Sequence, residues 1–189
     1  MNARYVCLSV LFVLLSGCSS LPEKPVDVYQ LAKMRSMQER RNWYFEGRLA
    51  LTDARDSVSA SISWRHRLDR DDIELTGPLS QGRLLISVTP GKVMVDDGEK
   101  PQEYMGRADQ VMSEQLNVDM PVDALKYWVL GIYDPRQPYQ ELEDGFVQEG
   151  WLVRYKEMQR VDVELLPRKL NAEKDKTSIK LVVDRWDLS

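Results

Sequence analysis

The stretch Ser57-Val58-Ser59-Ala60-Ser61-Ile62-Ser63-Trp64 decides the fold class, because apolar residues alternate with serines along its whole length. Successive side chains of a β-strand point to opposite faces, so this strand has one apolar face and one small polar face. Such a pattern is typical of an antiparallel sheet that buries one side and leaves the other in water.

The rest of the chain repeats this alternation. The segment 43–51, just before the quoted stretch, places apolar residues at every second position. Further strands are predicted at 73–75, 84–88, 93–95, 146–148, 151–155, 161–165 and 179–183, with Trp186 and Leu188 ending the chain. Turn-forming strings such as Pro90-Gly91 and Asp97-Gly98 separate several of them. We therefore predict about nine or ten short antiparallel strands joined by local connections.

Three segments have helical rather than strand spacing. An amphipathic helix is predicted from Val28 to about Asn42. Two more helices are predicted in mid-chain, one over 108–116 and one over 121–131 that has Pro121 in its first turn and ends at Gly131. A loop rich in proline and tyrosine is predicted at 133–139, after which the strands resume.

A sheet of that many strands must curl or split in order to bury its apolar face. We therefore predict a mainly β (α+β) domain in which helices cover the open, concave side of a curled antiparallel sheet. An apolar surface beneath a helical lid could hold a hydrophobic ligand, although helices on a sheet more often enclose a filled core. The pattern alone leaves both alternatives open.

The composition argues against several classes of function. The formal net charge is −4 and no basic run stands out, so nucleic acid is not expected as a partner. His66 is the only histidine, and it is predicted to face solvent at the end of its strand, between Arg65 and Arg67. A serine hydrolase needs a base beside its nucleophile, and a zinc site needs histidine or cysteine ligands.

The acidic pairs Asp71-Asp72 and Asp96-Asp97 do not change this conclusion. They are predicted to be solvated residues at strand ends and turns, and no loop has the spacing of a calcium-binding EF-hand. Glycine loops that cradle phosphate are also missing from the sequence. We therefore predict a protein that is not an enzyme and has no cofactor and no metal.

The N-terminus reads MNARYVCLSVLFVLLSGC. Arg4, the apolar run 6–15 and the small residues before Cys18 form the pattern of a secretory signal, which is too short to span a bilayer. A short membrane anchor or a buried helix is the alternative. The string Leu15-Ser16-Gly17-Cys18 resembles the bacterial lipobox, which implies cleavage before Cys18 and acylation of this cysteine. Stable anchoring needs at least two acyl chains, and a triacylated cysteine meets that condition.

These features divide the chain into three parts. We expect a lipoprotein signal peptide at 1–17, a lipidated cysteine with a flexible tether at 18–27, and a single domain at 28–189. With Cys7 in the signal and Cys18 modified, the domain has no disulfide. Ser19 stands where an aspartate would resemble an inner-membrane retention signal, so the outer membrane is the favoured destination.

Several strings occur in a fixed order along the chain. They are WYFEGRLAL (43–51), SISW (61–64), ELTGPL (74–79), PV (121–122), YWVLG (127–131), GW (150–151), LP (166–167) and IKLV (179–182). Together with Leu125, Tyr155 and Trp186, this ordered set resembles the LolB family of bacterial outer-membrane lipoprotein receptors. The match covers nearly the whole mature domain, which makes it more specific than any single string.

The resemblance implies an open, incomplete antiparallel β-barrel capped by helices, with an apolar cavity that holds the acyl chains of a client lipoprotein. It also implies that clients arrive from the soluble periplasmic carrier LolA and pass to the inner leaflet of the outer membrane. We expect a monomer anchored through Cys18 on the periplasmic face of that membrane. The alternative is a structural outer-membrane lipoprotein that scaffolds an envelope complex and has a filled core and no transfer activity.

Leu79 is unusual because it lies in a turn-rich connection, where an exposed leucine forgoes about 1.5–3 kcal/mol of burial. It could fold back onto the sheet or protrude as an apolar finger. The resemblance implies the second, with Gly77, Pro78 and Leu79 as a membrane-insertion loop. Many relatives have glycine directly after this leucine, whereas this chain has Ser80.

Alternation and resemblance together predict the wall of an acyl-chain cavity, with helix residues 125 and 129 as its lid. The predicted residues are Trp43, Phe45, Leu49, Val58, Ile62, Trp64, Leu84, Ile86, Leu125, Trp128, Val129 and Val153. An apolar wall does not depend on precisely placed polar groups, which suits the binding of varied acyl chains.

Overall fold

The computed structural model describes residues 29–54, 57–78, 82–116 and 120–188. Eleven antiparallel strands in this part of the chain form one sheet. They are β1 (Asn42–Thr52), β2 (Ser57–Arg67), β3 (Arg70–Thr76), β4 (Arg83–Thr89), β5 (Lys92–Asp96), β6 (Gln102–Met105), β7 (Tyr139–Leu142), β8 (Gly145–Gln148), β9 (Trp151–Val161), β10 (Glu164–Lys174) and β11 (Thr177–Asp187). The predicted mainly β fold with a one-sided antiparallel sheet is confirmed.

The sheet is open because its two edges are different strands. Its order is β6-β5-β4-β3-β2-β1-β11-β10-β9-β8-β7, so every neighbour is also a sequence neighbour except β1 and β11. Helices α2 (Ala108–Leu116) and α3 (Val122–Trp128) lie in the sequence between the edge strands β6 and β7. The connection that runs from one edge to the other therefore carries the helices that cover the inward face.

Alternation in β1 and β2 places the apolar side chains inward, as the sequence predicts. Ile62 and Trp64 are buried while Ser59 and Ser61 are exposed on the opposite face. The buried residues of the strands and those of α2 and α3 form one hydrophobic cluster. The sheet thus has one face packed beneath helices and one charged face in water.

Strand β1 contains a close backbone approach at Gly47. The register between β1 and β11 shifts there, since Glu46 pairs with Arg185 and Gly47 pairs with Val183. A Cβ atom on Gly47 would overlap the backbone carbonyl oxygen of Val182. Glycine is therefore required where the bulge brings the two central strands together.

The N-terminal helix is shorter than predicted. Helix α1 spans Leu31–Met34 and a 3-10 turn spans Arg35–Glu39, whereas the sequence predicts a helix to about Asn42. Asn42 already pairs with Arg67 of β2, so the chain must become extended there. The following segment, 38–42, offers no apolar side chain that would prolong an amphipathic helix.

Two edge strands and one turn differ from the prediction. The sequence predicts no strand at β6 and a loop at 133–139, whereas β7 begins at Tyr139. Each edge strand pairs on one side only and buries no alternating face, so alternation gives no signal there. The predicted strand 161–165 is instead divided by a turn at Asp162 and Val163, which joins the end of β9 to the start of β10. Asp162 lies in the left-handed region (φ 53°), and Val163 is exposed.

The strand ends define two rims of the open barrel. The upper rim contains the turns joining β2 to β3, β4 to β5 and β9 to β10, together with the start of β1. The lower rim contains the turns joining β1 to β2, β3 to β4 and β10 to β11. None of the helices in the described ranges has the length and hydrophobicity that crossing a bilayer requires.

We predict that Gly47→Ala destabilises the fold, because the new methyl group meets a backbone carbonyl that cannot move aside. Overpacking of this kind costs about 1–3 kcal/mol. Urea denaturation measures the loss, with Ser61→Ala on the exposed face as a control that should change stability by less than about 0.5 kcal/mol. Equal stability of Gly47→Ala and the wild type would contradict the close approach.

Candidate functional site

The predicted cavity residues all face the interior of the open barrel. They come from β1, β2, β4, β9 and α3, and Val129 follows α3 directly. Ten of the twelve are buried, while Val58 and Leu84 are half-buried and pack against the same cluster. The structure therefore brings these residues to one apolar interior, in which they pack against each other.

The aromatic residues of this interior form two groups. Trp43 lies 5.6 Å from Trp64 and Phe45 lies 5.2 Å from Trp186, measured between ring centroids, on the wall formed by β1, β2 and β11. Trp128 of α3 belongs to the other group, with its ring 5.8 Å from that of Trp151 on β9. The sheet side of the interior is therefore lined with large, rigid rings.

Methionines cover the helical side of the interior, and the sequence prediction did not include them. Met34, Met37, Met112 and Met120 are each at most 2% exposed. They lie on α1, the following 3-10 turn, α2 and the residue pair before α3. Methionine is unbranched and fills irregular spaces, so this side can repack more easily than the aromatic side.

An opening of about 720 Å³ lies at the upper rim, between the 3-10 turn, the turns of β2–β3 and β4–β5, and α3. Its volume falls within the range of ligand pockets, about 300–1,000 Å³. Trp43 lines it, but none of the other eleven predicted cavity residues does. Polar residues such as His66, Asp71 and Asp123 line it together with apolar residues such as Val88 and Leu130, so this opening has a mixed lining.

Asp71 and His66 form a buried polar cluster at this opening. The Nε1–H of Trp64 donates to Asp71 Oδ1 at 2.9 Å, and His66 Nδ1 lies 2.8 Å from the same oxygen. Asp71 is buried, and the His66 ring stacks on Trp43 with centroids 5.2 Å apart. The predictions of a solvated Asp71 and a solvent-facing His66 are therefore wrong. Asp71 follows the inward alternation of β3, and burial is compensated by these two hydrogen bonds.

Buried hydrogen bonds fix the C-terminal end of α3. Tyr155 donates its hydroxyl to the carbonyl of Trp128 at 2.9 Å, and Tyr29 donates to the carbonyl of Gly131 at 3.1 Å. Burial raises the pKa of both tyrosine hydroxyls, so they remain protonated donors. The Trp128 Nε1–H also donates to Gln148 Oε1 on β8 at 3.1 Å. This end of the helical lid is therefore held on two sides.

The segment after α3 is fixed to β8 in the same way. The amide of Asp134 donates to Gln148 Oε1 at 2.9 Å, and Gln148 Nε2 donates back to the Asp134 carbonyl at 2.9 Å. Arg136 donates to the Asp134 carboxylate. Burial would raise the pKa of Asp134, but the bonds from Arg136 outweigh it and the pKa is lowered.

The N-terminal ends of α2 and α3 meet at two carboxyl groups. Asp109 lies in the first turn of α2 and Asp123 in the first turn of α3. Burial, followed by a hydrogen bond and charge repulsion from Asp109, raises the pKa of Asp123. Asp109 Oδ1 is buried without a hydrogen-bond partner among the described residues, while Arg107 Nη2 donates to Asp109 Oδ2 at 2.6 Å. Ionisation of Asp123 is therefore disfavoured at this contact, while Arg107 pairs with the carboxylate of Asp109.

The predicted membrane-insertion loop lies at the lower rim. Gly77 N–H donates to the Gly82 carbonyl at 3.1 Å, which closes the connection between β3 and β4, and Pro78 is exposed. Leu79 and Ser80 lie outside the described residues, as do Cys18 and the predicted signal peptide.

Among the described residues, no group of three or more His, Cys, Asp or Glu side chains could hold a metal ion.

Comparison with known proteins identifies relatives along almost the entire chain. A family model described as outer membrane lipoprotein LolB matches residues 41–186. The outer-membrane lipoprotein LolB of Chromohalobacter salexigens is 31% identical over 197 residues, covering 99% of this chain and 92% of that protein. The protein of the same name from Alkalilimnicola ehrlichii is 28% identical over 199 residues, covering 100% and 98%.

Two solved structures share the fold at low sequence identity. A LolA superfamily protein from Nitrosomonas europaea has a TM-score of 0.52 and 10% identity, covering 80% of this chain and 87% of that chain. A DUF1329 family protein from Desulfovibrio piger has a TM-score of 0.54 and 8% identity, covering 84% and 90%. The predicted open barrel with a helical cover is confirmed by this likeness in fold.

We predict that Asp123→Asn makes the stability less sensitive to pH. A raised pKa means that the folded chain binds the Asp123 proton more tightly than the unfolded chain, whose ordinary value is 3.8. The wild type therefore loses stability as pH rises from the ordinary pKa of the unfolded chain to the raised pKa of Asp123 in the folded chain. The variant lacks that loss.

Urea denaturation at several values between about pH 4 and about pH 7 measures the difference between variant and wild type. The difference should shift in favour of the variant as pH rises. Asp69→Asn, an exposed aspartate at the same opening, is the matched control. A difference for Asp123→Asn that is independent of pH would rule out the paired carboxyl groups.

Proposed function

The chain belongs to the LolB family of outer-membrane lipoproteins, and from this premise we propose that it accepts acylated lipoproteins from LolA and inserts them into the outer membrane. It is an outer-membrane lipoprotein receptor and not an enzyme. The acyl chains of the client enter the apolar interior and leave it into the inner leaflet of the outer membrane.

The observation that carries this proposal is the contrast between the two sides of the interior. The sheet side is built mainly of aromatic and branched residues, whereas the helical side adds four buried methionines to Leu125 and Trp128 of α3. An acyl chain needs apolar surface without directional contacts, and each buried methylene contributes about 0.8 kcal/mol. Methionines can rearrange around such a chain while the sheet side keeps its shape.

The unequal attachment of the lid supports a movement that admits the chain. The C-terminal end of α3 is held by the buried bonds from Tyr29, Tyr155 and Gln148. The N-terminal ends of α2 and α3 meet instead at Asp109 and Asp123, where burial and the neighbouring carboxyl group raise the pKa of Asp123. We infer that α2 and the start of α3 lift away from the sheet while the Trp128 end stays in place.

Transfer from carrier to receptor then requires little more than a difference in affinity. A protein of the LolA superfamily shares this fold, which supports passage between two similarly built interiors. No nucleotide is consumed, so each step must run downhill by only a few kcal/mol if exchange is to stay rapid. A plastic apolar interior is suited to such modest affinities for varied clients.

Delivery is assigned to the loop at the lower rim. The Gly77–Gly82 hydrogen bond closes this connection, and exposed Pro78 precedes Leu79. In our proposal Leu79 enters the membrane surface, where its burial compensates for its unusual place in a turn. Lipidation of Cys18 keeps the receptor beside this surface and raises the local concentration of the loop there.

We predict that the purified chain takes acylated clients from loaded LolA, and that lipid co-purifies with it. Pull-down of the tagged chain after mixing with loaded LolA measures the uptake. A folded chain that takes up no client would contradict the transfer function. A filled core without any bound lipid would favour the structural scaffold instead.

We further predict that Leu79→Glu leaves uptake unchanged and blocks insertion into vesicles, because a charged side chain opposes entry into the membrane. Insertion is measured by flotation of the client with the vesicles. Val163→Glu is the matched control, since Val163 is a 90% exposed apolar turn residue at the opposite rim. Equal loss of uptake and insertion in Leu79→Glu, or equal loss in both variants, would eliminate the membrane finger.

A further inference from the structure

A second opening, of about 530 Å³, lies at the lower rim. Its lining includes Gln110 of α2, Met120 before α3, Trp151 of β9, and Lys174 and Thr177 at the turn between β10 and β11. Neither the family resemblance nor the proposed function assigns a role to this opening.

Strand register places this opening on the same rim as the Gly77–Gly82 connection. Thr177 pairs with Lys174, and the next residue, Ser178, pairs with the last residue of β1. The end of β1 pairs with the start of β2. Thr76, the last residue of β3, pairs with Ser61 in the first half of β2. The upper opening is instead lined by Asp71, at the start of β3. The seven residues of β3 separate the two rims by about 20 Å, at about 3.3 Å per residue.

The lower opening has an apolar floor and a polar edge. Met120 and Trp151 are 1% and 6% exposed, and the Trp151 ring packs against Trp128 inside the domain. The edge is polar, with Gln110, Lys174 and Thr177 beside the carboxyl groups of Asp109, Glu114 and Asp175. This combination fits a saturated acyl chain whose polar head stays in water.

The contact between α2 and α3 divides the two openings. Asp109 of α2 lines the lower opening, and Asp123 of α3 lines the upper one. These two carboxyl groups lie at the contact between the helices, where Asp109 Oδ1 is buried without a hydrogen-bond partner among the described residues. Separation of α2 from α3 would therefore join the lower opening to the upper one beneath the lid.

We propose that the lower opening is an exit for the acyl chains of the client, distinct from the upper opening through which they enter. This inference rests on the proposed transfer function. An exit beside the Leu79 connection delivers the chains where the membrane is contacted. If the acyl chains used the upper opening alone, an anchored receptor would have to rotate relative to the membrane between uptake and release.

The test uses three exposed glutamines as matched sites for a bulky maleimide label. Gln110 lines the lower opening, Gln38 lines the upper opening, and Gln140 of β7 lines neither. Each is replaced by cysteine in the full lipid-anchored chain, reconstituted in vesicles of phosphatidylethanolamine and phosphatidylglycerol. Uptake of client from loaded LolA and its insertion into the vesicles are timed separately, before and after labelling.

The label on Gln110→Cys should slow insertion by about tenfold or more while client accumulates on the receptor. The label on Gln38→Cys should slow uptake, and the label on Gln140→Cys should change neither step. Unimpeded insertion with labelled Gln110→Cys, or slowing of the same step by both labels, would overturn the separate exit. Unlabelled variants that take up no client would instead contradict the proposed transfer function itself.

Discussion

Strands β6 and β7 form the two edges of the sheet, and they are joined by helices rather than by a ladder of hydrogen bonds. A closed barrel would bury its apolar face by strand pairing alone. Here α2 and α3 must cover that face, and they do so chiefly by apolar packing. Apolar packing is non-directional, so a lipid chain can replace it without breaking a regular backbone ladder. The remaining features of the molecule depend on this open seam.

The polar contacts of the lid are distributed so that one end is fixed and the other is loose. Tyr29, Tyr155 and Gln148 hold the C-terminal end of α3 through buried hydrogen bonds. At the opposite end, Asp109 and Asp123 bring two carboxyl groups together. An unpaired buried polar group costs about 1–3 kcal/mol, so bonds of the first kind resist opening, whereas Asp109 Oδ1 has no hydrogen bond to lose when the lid opens. The same seam therefore provides both a cover and its hinge.

The alternation of apolar and polar residues predicted the inward faces of the strands, because burial on one side of a sheet imposes a period of two. Asp71 follows that period with Ile73 and Leu75, but β3 begins at Arg70, before the predicted strand 73–75, and an aspartate at a strand end is ordinarily solvated. Edge strands β6 and β7 bury no face and give no such signal. The position of the two openings could not be predicted, since it depends on long-range pairing between β1 and β11.

The most direct test of the account is a structure of the full chain bound to an acylated client. We predict an acyl chain between the methionines of the lid, such as Met112 and Met120, and the aromatic wall formed by Phe45 and Trp64. The hydrogen bond from Tyr155 to the Trp128 carbonyl should remain intact while α2 moves away from the sheet. An acyl chain bound on the outer face of the sheet, with the interior packed as it is without client, would contradict the account.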